Sequence, residues 1–171
     1  VYNLWKIAGD PASSHGSYLI EPGTTALSAA RTVASGRQTP VKVTINNVRT
    51  LSDLTKRIAA KLEVTPAEIY KALGEKLANH SQFAGKETYP AAVLPDTYEF
   101  YWSDSAEHVV DKLVAARDNF WNSSRLEKAA KLGLTPVEVA TIASIVEEES
   151  NKKDERPIIA RLYMNRVNKG M

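Results

Sequence analysis

The chain has 171 residues, of which 43% are hydrophobic and 25% are charged, and its net charge is +2. This composition is typical of a globular protein, and the length suffices for one ordinary domain or two small ones. The small net charge gives no argument for binding to nucleic acid or to an anionic membrane. Cysteine is absent and the three histidines are scattered, which argues against a zinc site and against a Ser–His or Cys–His nucleophile.

The N-terminal part of the chain is predicted to mix short strands with helices. Residues 17–20 and residues 41–45 are predicted to be strands, and in the second segment apolar and polar side chains alternate as on a half-buried strand. Three helices are predicted: from residues 22–25 to Gly36, over residues 51–62, and from the segment Thr65-Pro66-Ala67-Glu68 onwards. The last of these starts is a capping box with proline at the first helical position.

A domain boundary is predicted between residues 78 and 79. Residues 74–90 are rich in Gly, Asn, Ser, Lys and Thr, a composition that favours a linker. After a loop over residues 94–102, helices are predicted over residues 106–121, 124–132, 135–149 and 155–168. The predicted fold class is therefore α+β, with a small α/β region (residues 1–78) followed by a mostly helical region (residues 79–171).

The predicted loop at residues 94–102 places four aromatic side chains beside Asp96, Thr97 and Glu99. Sugar rings present flat C–H faces edged with hydroxyl groups, so aromatic and short polar side chains together suit a carbohydrate groove. In the alternative interpretation the segment is a strand, and its alternating aromatics, beginning with Tyr98, anchor it in the core. Composition alone favours this alternative.

Glu149 is the strongest candidate for a catalytic residue, because it ends a long apolar helix. Helical geometry places Ile142, Ile145 and Val146 within about 60° of Glu149, whereas Glu147 points the opposite way. Apolar surroundings and the dipole at a helix C-terminus both favour a protonated carboxyl group, which can donate a proton to a substrate. The alternative is a solvated glutamate at a helix end, and spacing alone favours it.

The last predicted helix carries two sets of side chains. A stripe of apolar residues is expected to face the core: Ile158, Leu162 and Val167. The polar residues of the same helix are expected to face either a cleft or solvent, and a solvated basic face is the more common arrangement. These residues are Arg156, Arg161, Asn165 and Arg166.

Together, these segments resemble the YceG-like (MltG) endolytic murein transglycosylases. The resemblance rests on three pieces in the right order: Leu94-Pro-Asp-Thr-Tyr98, then Ala143-Ser-Ile-Val-Glu-Glu-Glu-Ser150, and then Glu155-Arg-Pro-Ile-Ile-Ala160 leading into Asn165-Arg166 and Gly170-Met171. The N-terminal region, residues 1–78, is more loosely similar to the LysM-like region of the family.

The resemblance implies a lytic transglycosylase that cuts nascent glycan strands internally and so limits their length. It would cleave the β-1,4 bond between N-acetylmuramic acid and N-acetylglucosamine without water, leaving 1,6-anhydro ends, and it would need no metal or cofactor. Glu149 corresponds to the catalytic acid of the family, and Glu147 is expected to support it. Five residues are expected to bind the sugar substrate: Thr97, Tyr98, Ser150, Asn165 and Arg166.

The resemblance also implies partners and a location. Peptidoglycan glycan strands are the expected substrate, and cell-wall synthases are candidate protein partners. Nucleic acid is not an expected partner. The expected location is the extracytoplasmic (periplasmic) face of the bacterial cytoplasmic membrane, reached through one N-terminal membrane helix. On this interpretation the anchor precedes Val1 and the cleft continues after Met171, so the chain by itself is expected to be weak or inactive.

Three other functions remain open on the sequence alone. The protein could bind glycan without cleaving it, with Glu149 in a structural role. It could be a scaffold of the cell-wall synthesis machinery, in which the helical part is an interaction surface. It could also be a true hydrolase, whose products would carry reducing muramic acid ends.

Overall fold

The computed structural model describes residues 15–46, 48–78, 80–83 and 85–170. The elements, in chain order, are α1 (Ala26–Ala34), β1 (Val41–Ile45), α2 (Leu51–Ala59), α3 (Pro66–Ala78), a 3₁₀ helix (Lys86–Ala92), β2 (Asp96–Phe100), α4 (Ala106–Phe120), α5 (Ser123–Lys131), α6 (Pro136–Glu149) and α7 (Arg156–Asn168). The predicted fold class, α+β, is confirmed. The start of the predicted LysM-like region (residues 1–14) and Met171 of the last motif lie outside the described residues.

The chain divides into two compact units that alternate along the sequence. The first comprises the described residues up to Lys76 together with Pro95–Leu113, and the second comprises the described residues of Leu77–Leu94 and those from Val114 onwards. β2 belongs to the first unit because it pairs with β1. The LysM-like assignment and the domain boundary after residue 78 stay predictions.

The first unit is built on a two-stranded antiparallel sheet. Val43 lies opposite Tyr98, and both side chains point into the core with 1% and 6% of their surfaces exposed. On the outer face, the hydroxyl oxygens of Thr44 and Thr97 are 2.9 Å apart and share a hydrogen bond. α2 packs against β1 and contributes the fully buried Ile58. The alternation predicted for residues 41–45 is confirmed.

Three segments bear on the local predictions. Residues 94–102 contain β2, as in the strand alternative, because β1 supplies backbone partners for this segment. The strand predicted over residues 17–20 is wrong, since the Leu19 amide donates to the Thr39 hydroxyl (3.0 Å) instead of to a strand carbonyl. Residues 74–90, where the domain boundary is predicted, contain the end of α3 and most of the 3₁₀ helix.

The helix starts that depend on local capping are confirmed. α3 begins at Pro66 and α6 at Pro136, as the two capping boxes predict. In the second box, the Thr135 amide donates to Glu138 Oε2 (2.7 Å) and the Glu138 amide donates to Thr135 Oγ1 (3.2 Å).

Within the part of the chain that the structure describes, no single helix is long and apolar enough to cross a membrane. Taken together, α5 and α6, bent by 78° at their junction, reach that length and apolarity.

The capping box of α6 is expected to lose its stabilising effect in acid. Hydrogen bonds from the backbone and the side chain of Thr135 lower the pKa of Glu138 below its ordinary value of 4.5. Since this pKa is lower in the folded state, the stabilisation is present above pH 4.5 and is lost as the pH falls through the folded-state value. Urea unfolding measured between pH 7 and pH 3 should therefore show a smaller acid-dependent loss in Glu138→Gln than in the parent chain.

Glu127→Gln is the matched control for this measurement, because Glu127 is an exposed glutamate on the neighbouring helix α5. This variant is expected to follow the parent chain over the whole pH range. Equal acid-dependent losses in Glu138→Gln and in the parent would show that the capping box contributes nothing to the pH dependence.

The second unit buries an arginine. The side chain of Arg117 is only 2% exposed, and its guanidinium carbon lies 5.0 Å from the centroid of the Phe83 ring. The guanidinium donates to the side-chain carbonyl oxygen of Gln82 and to Asp118 Oδ1 at 3.0 Å. Arg117 Nε has no hydrogen-bond partner among the described residues. The second unit therefore covers the aliphatic stem of Arg117 and also supplies the hydrogen-bond acceptors of its guanidinium group.

Candidate active site

Glu149 is the last residue of α6, and its side chain is exposed. α6 packs against α7, and from α7 the half-buried Tyr163 donates its hydroxyl proton to Glu149 Oε1 over 2.7 Å. Within the described residues, the carboxyl group of Glu149 makes no further hydrogen bond or ion pair. The second oxygen, Oε2, is therefore accessible to a ligand.

Arg166 completes a cluster with these two residues, here called the Glu149–Tyr163–Arg166 cluster. Its guanidinium carbon lies 5.2 Å from the centroid of the Tyr163 ring, within the range of a cation–π contact. The hydrogen bond to Glu149, then burial and the carboxylate charge, raise the pKa of Tyr163, whereas Arg166 opposes this shift. The ordinary pKa of 10.0 is therefore raised further, and Tyr163 keeps its hydroxyl proton at neutral pH and can serve as a hydrogen-bond donor.

Ser150, predicted to bind substrate, is engaged within the turn between α6 and α7. Its hydroxyl donates to Glu155 Oε2 (2.7 Å) and accepts from the Lys152 amide (3.0 Å). Lys152 Nζ also donates to Glu155 Oε1 (3.0 Å). The hydrogen bonds from Ser150 and then Lys152 lower the pKa of Glu155. Ser150 thus closes the turn that follows Glu149, and its role in sugar binding stays a prediction.

Glu147 lies in a different environment from Glu149. It lines an apolar groove of about 560 Å³ between α6 and α7. The other lining residues are Leu132, Leu134, Val139, Ile142, Ala143, Val146, Arg156, Pro157, Ala160 and Met164. The apolar surroundings predicted for Glu149 are wrong, because its side chain is exposed, and Ile142 and Val146 line the groove that also includes Glu147. Helical angles specify which residues share a face, but packing specifies which face is covered.

The core stripe predicted for α7 is also wrong. The side chains of Ile158, Leu162 and Val167 are 71%, 49% and 58% exposed. The face of α7 that meets α6 instead carries Tyr163, which bonds to Glu149, and Met164, which lines the groove. The other predicted sugar-binding residues of this helix, Asn165 and Arg166, are exposed.

Thr97 and Tyr98, the remaining predicted sugar-binding residues, belong to β2 in the first unit. Thr97 is exposed and bonds to Thr44. Tyr98 is buried and stacks on Phe100, with 6.2 Å between the ring centroids. This placement confirms the alternative in which alternating aromatics anchor the segment in the core. Contacts of Thr97 and Tyr98 with a sugar stay predictions.

Tyr163 is the site residue that sequence analysis missed. The available signal was its spacing of three residues from Arg166, which places both on one face of α7. That spacing does not reveal that this face lies against the end of α6.

Among the residues that the structure describes, no group of three or more His, Asp or Glu side chains is placed to hold a metal ion.

Comparisons with known proteins assign the family. The model of the YceG-like family matches residues 2–171. The endolytic murein transglycosylase of Streptococcus pneumoniae serotype 2 (strain D39 / NCTC 7466) is 38% identical over 80 residues, which cover 46% of this chain and 14% of that protein. The protein of the same name from strain ATCC BAA-255 / R6 matches with the same identity and coverage. No solved structure matches this chain. Because the family match extends over nearly all of its residues, the chain belongs to the YceG-like family.

Proposed function

We propose that this protein acts as an endolytic murein transglycosylase at the extracytoplasmic face of the bacterial cytoplasmic membrane, with Glu149 as the catalytic acid. The observation that carries the proposal is the carboxyl group of Glu149, exposed at the end of α6 and held through one oxygen by Tyr163. The proposal is supported by membership of the YceG-like family and by relatives named endolytic murein transglycosylase. Internal cleavage of this kind would limit the length of nascent glycan strands.

The chemistry requires one carboxyl group. Glycosidases that use water usually employ two, separated by about 5–5.5 Å or about 6.5–9.5 Å depending on stereochemical outcome. A lytic transglycosylase replaces the water by a hydroxyl group of its own substrate. Glu147 lines the apolar groove, so we assign it a supporting role and leave the proton transfers to Glu149.

The reaction proceeds by two proton transfers at the same residue. Protonated Glu149 gives its proton to the glycosidic oxygen, and the bond between that oxygen and the anomeric carbon of N-acetylmuramic acid breaks. The C6 hydroxyl of the same muramic acid attacks the anomeric carbon and returns its proton to the Glu149 carboxylate. The products are a free hydroxyl on N-acetylglucosamine and a 1,6-anhydro-muramyl end, and no water is consumed.

Product analysis tests this proposal. Purified peptidoglycan is incubated with this chain and with a version extended past Met171, and the released fragments are analysed by mass spectrometry. The muramyl ends of the products are expected to have a mass lower than that of reducing ends by one water molecule. Reducing ends would instead identify a hydrolase, and glycan binding without any cleavage would identify a binding module.

Arg166 and Asn165 are proposed to contact substrate, because both are exposed on the part of α7 that carries Tyr163. Replacement of Arg166 by Ala is expected to weaken glycan binding about 10-fold, since a hydrogen bond from a charged group typically contributes about 1.5 kcal/mol or more. Asn165→Ala should have a smaller effect in the same direction. Both affinities can be measured by calorimetry with a soluble glycan fragment.

Lys131→Ala serves as the control for these titrations, because Lys131 is an exposed cation on α5. Its affinity for the glycan fragment should equal that of the parent chain. Unchanged affinity in both Arg166→Ala and Asn165→Ala would remove these residues from the binding site.

A further inference from the structure

We propose that Tyr163 is a positioning residue for Glu149, which holds one carboxyl oxygen so that the other, Oε2, carries the proton to the substrate. This inference rests on the proposed function and deepens it. Tyr163 does not touch the reacting atoms in this arrangement, and it acts through Glu149.

The geometry of the hydrogen bond supports this role. The Tyr163 hydroxyl is 2.7 Å from Glu149 Oε1, a normal distance for a strong O–H···O bond. Tyr163 lies on α7 and Glu149 ends α6, so the bond joins two helices. An exposed glutamate at a helix end otherwise samples several rotamers, and restricting them favours a reactive orientation.

The direction of the hydrogen bond selects the oxygen that carries the proton. Tyr163 retains its proton at neutral pH, because the ordinary pKa of a tyrosine is 10.0 and the bond to Glu149 raises it further. A donor at Oε1 leaves this oxygen as the acceptor, so in the acid form of Glu149 the proton resides on Oε2. Arg166, whose guanidinium carbon lies 5.2 Å from the centroid of the Tyr163 ring, is a second charged group beside the phenol.

Tyr163→Phe removes the hydroxyl group and keeps the ring with its Arg166 contact. The expected result is a kcat about 10-fold lower with a KM that stays within about 2-fold, because an interaction that acts in the chemical step is lost while binding is kept. The rate of formation of anhydro-muramyl ends is measured over a range of glycan concentrations. Tyr70→Phe is the control, since Tyr70 is a partly exposed tyrosine of α3 in the first unit, and it should retain the parent rate.

A spectroscopic measurement tests the pair independently of activity. The ring signal of Tyr163 is followed by NMR against pH in protein carrying carbon-13-labelled tyrosine, and it is assigned by its absence in Tyr163→Phe. The pKa of Tyr163 should fall towards the ordinary value of 10.0 in Glu149→Ala, because the largest cause of its increase is removed.

The outcomes separate this inference from the proposed function. A parent rate in Tyr163→Phe, or a Tyr163 titration unchanged by Glu149→Ala, would overturn the positioning role. The positioning role would also be overturned if Tyr163→Phe raised KM and lowered the urea midpoint of unfolding but left kcat unchanged. That pattern would mark a contact that only stabilises the structure. If neither this chain nor a version extended past Met171 forms anhydro-muramyl ends, the proposed function fails, and the titration alone decides whether Tyr163 holds Glu149.

Discussion

Replacement of Glu149 by Gln is expected to reduce the formation of anhydro-muramyl ends by about 10²–10⁴-fold, the usual contribution of a general acid or base. Gln has nearly the same size and shape, and its carbonyl oxygen can still accept the hydrogen bond from Tyr163 Oη. The amide cannot donate the proton that the glycosidic oxygen requires. Glycan affinity should therefore be kept while turnover is lost, and the two are measured by calorimetry and by mass spectrometry of the products.

Glu148→Gln is the matched control, because Glu148 is the exposed neighbour of Glu149 on the same helix. This variant removes the same charge and should retain the parent rate. Glu147→Gln is expected to have an intermediate effect, since Glu147 lines the adjoining groove. Full activity of Glu149→Gln would exclude Glu149 as the acid, and a loss specific to Glu147→Gln would transfer that role to Glu147.

Replacement of Arg117 by Ala is expected to destabilise the second unit by about 2–5 kcal/mol, the range observed when a large buried side chain is truncated. The side chain of Arg117 is 2% exposed, so its removal leaves a cavity beside Phe83 and deprives Gln82 of a donor. The free energy of unfolding is measured in urea by circular dichroism. Lys128→Ala, at an exposed position of α5, should change it by less than about 0.5 kcal/mol.

Arg117→Met separates packing from charge in this prediction. Met retains most of the volume of the aliphatic stem but removes the bonds to Gln82 and Asp118. If Arg117→Met loses much less unfolding free energy than Arg117→Ala, the volume of the side chain contributes more to stability than its guanidinium contacts do. Equal losses in the two variants would assign the stability to the guanidinium contacts. A stable Arg117→Ala variant would contradict the prediction.

Much of the candidate site could be predicted from the sequence, because its position along the chain depends on local signals. The Thr135 capping box begins α6 where the pattern indicates, and the apolar run that follows ends at Glu149. The surroundings of Glu149 could not be predicted. Its partner, Tyr163, lies fourteen residues further along the chain, and only the packing of α7 on α6 brings the two together.

The helix starts, the alternation of β1 and the family can be predicted from the sequence, since they depend on neighbouring residues within one or two turns or on short motifs. The packing of distant segments was needed to show that β2 pairs with β1, that Arg117 is buried, and that α7 turns Tyr163 and not Leu162 towards α6. The two kinds of feature differ in the sequence distance over which the stabilising contacts act. Backbone capping and periodicity act over a few residues, whereas burial of a face depends on which distant segment of the chain covers it.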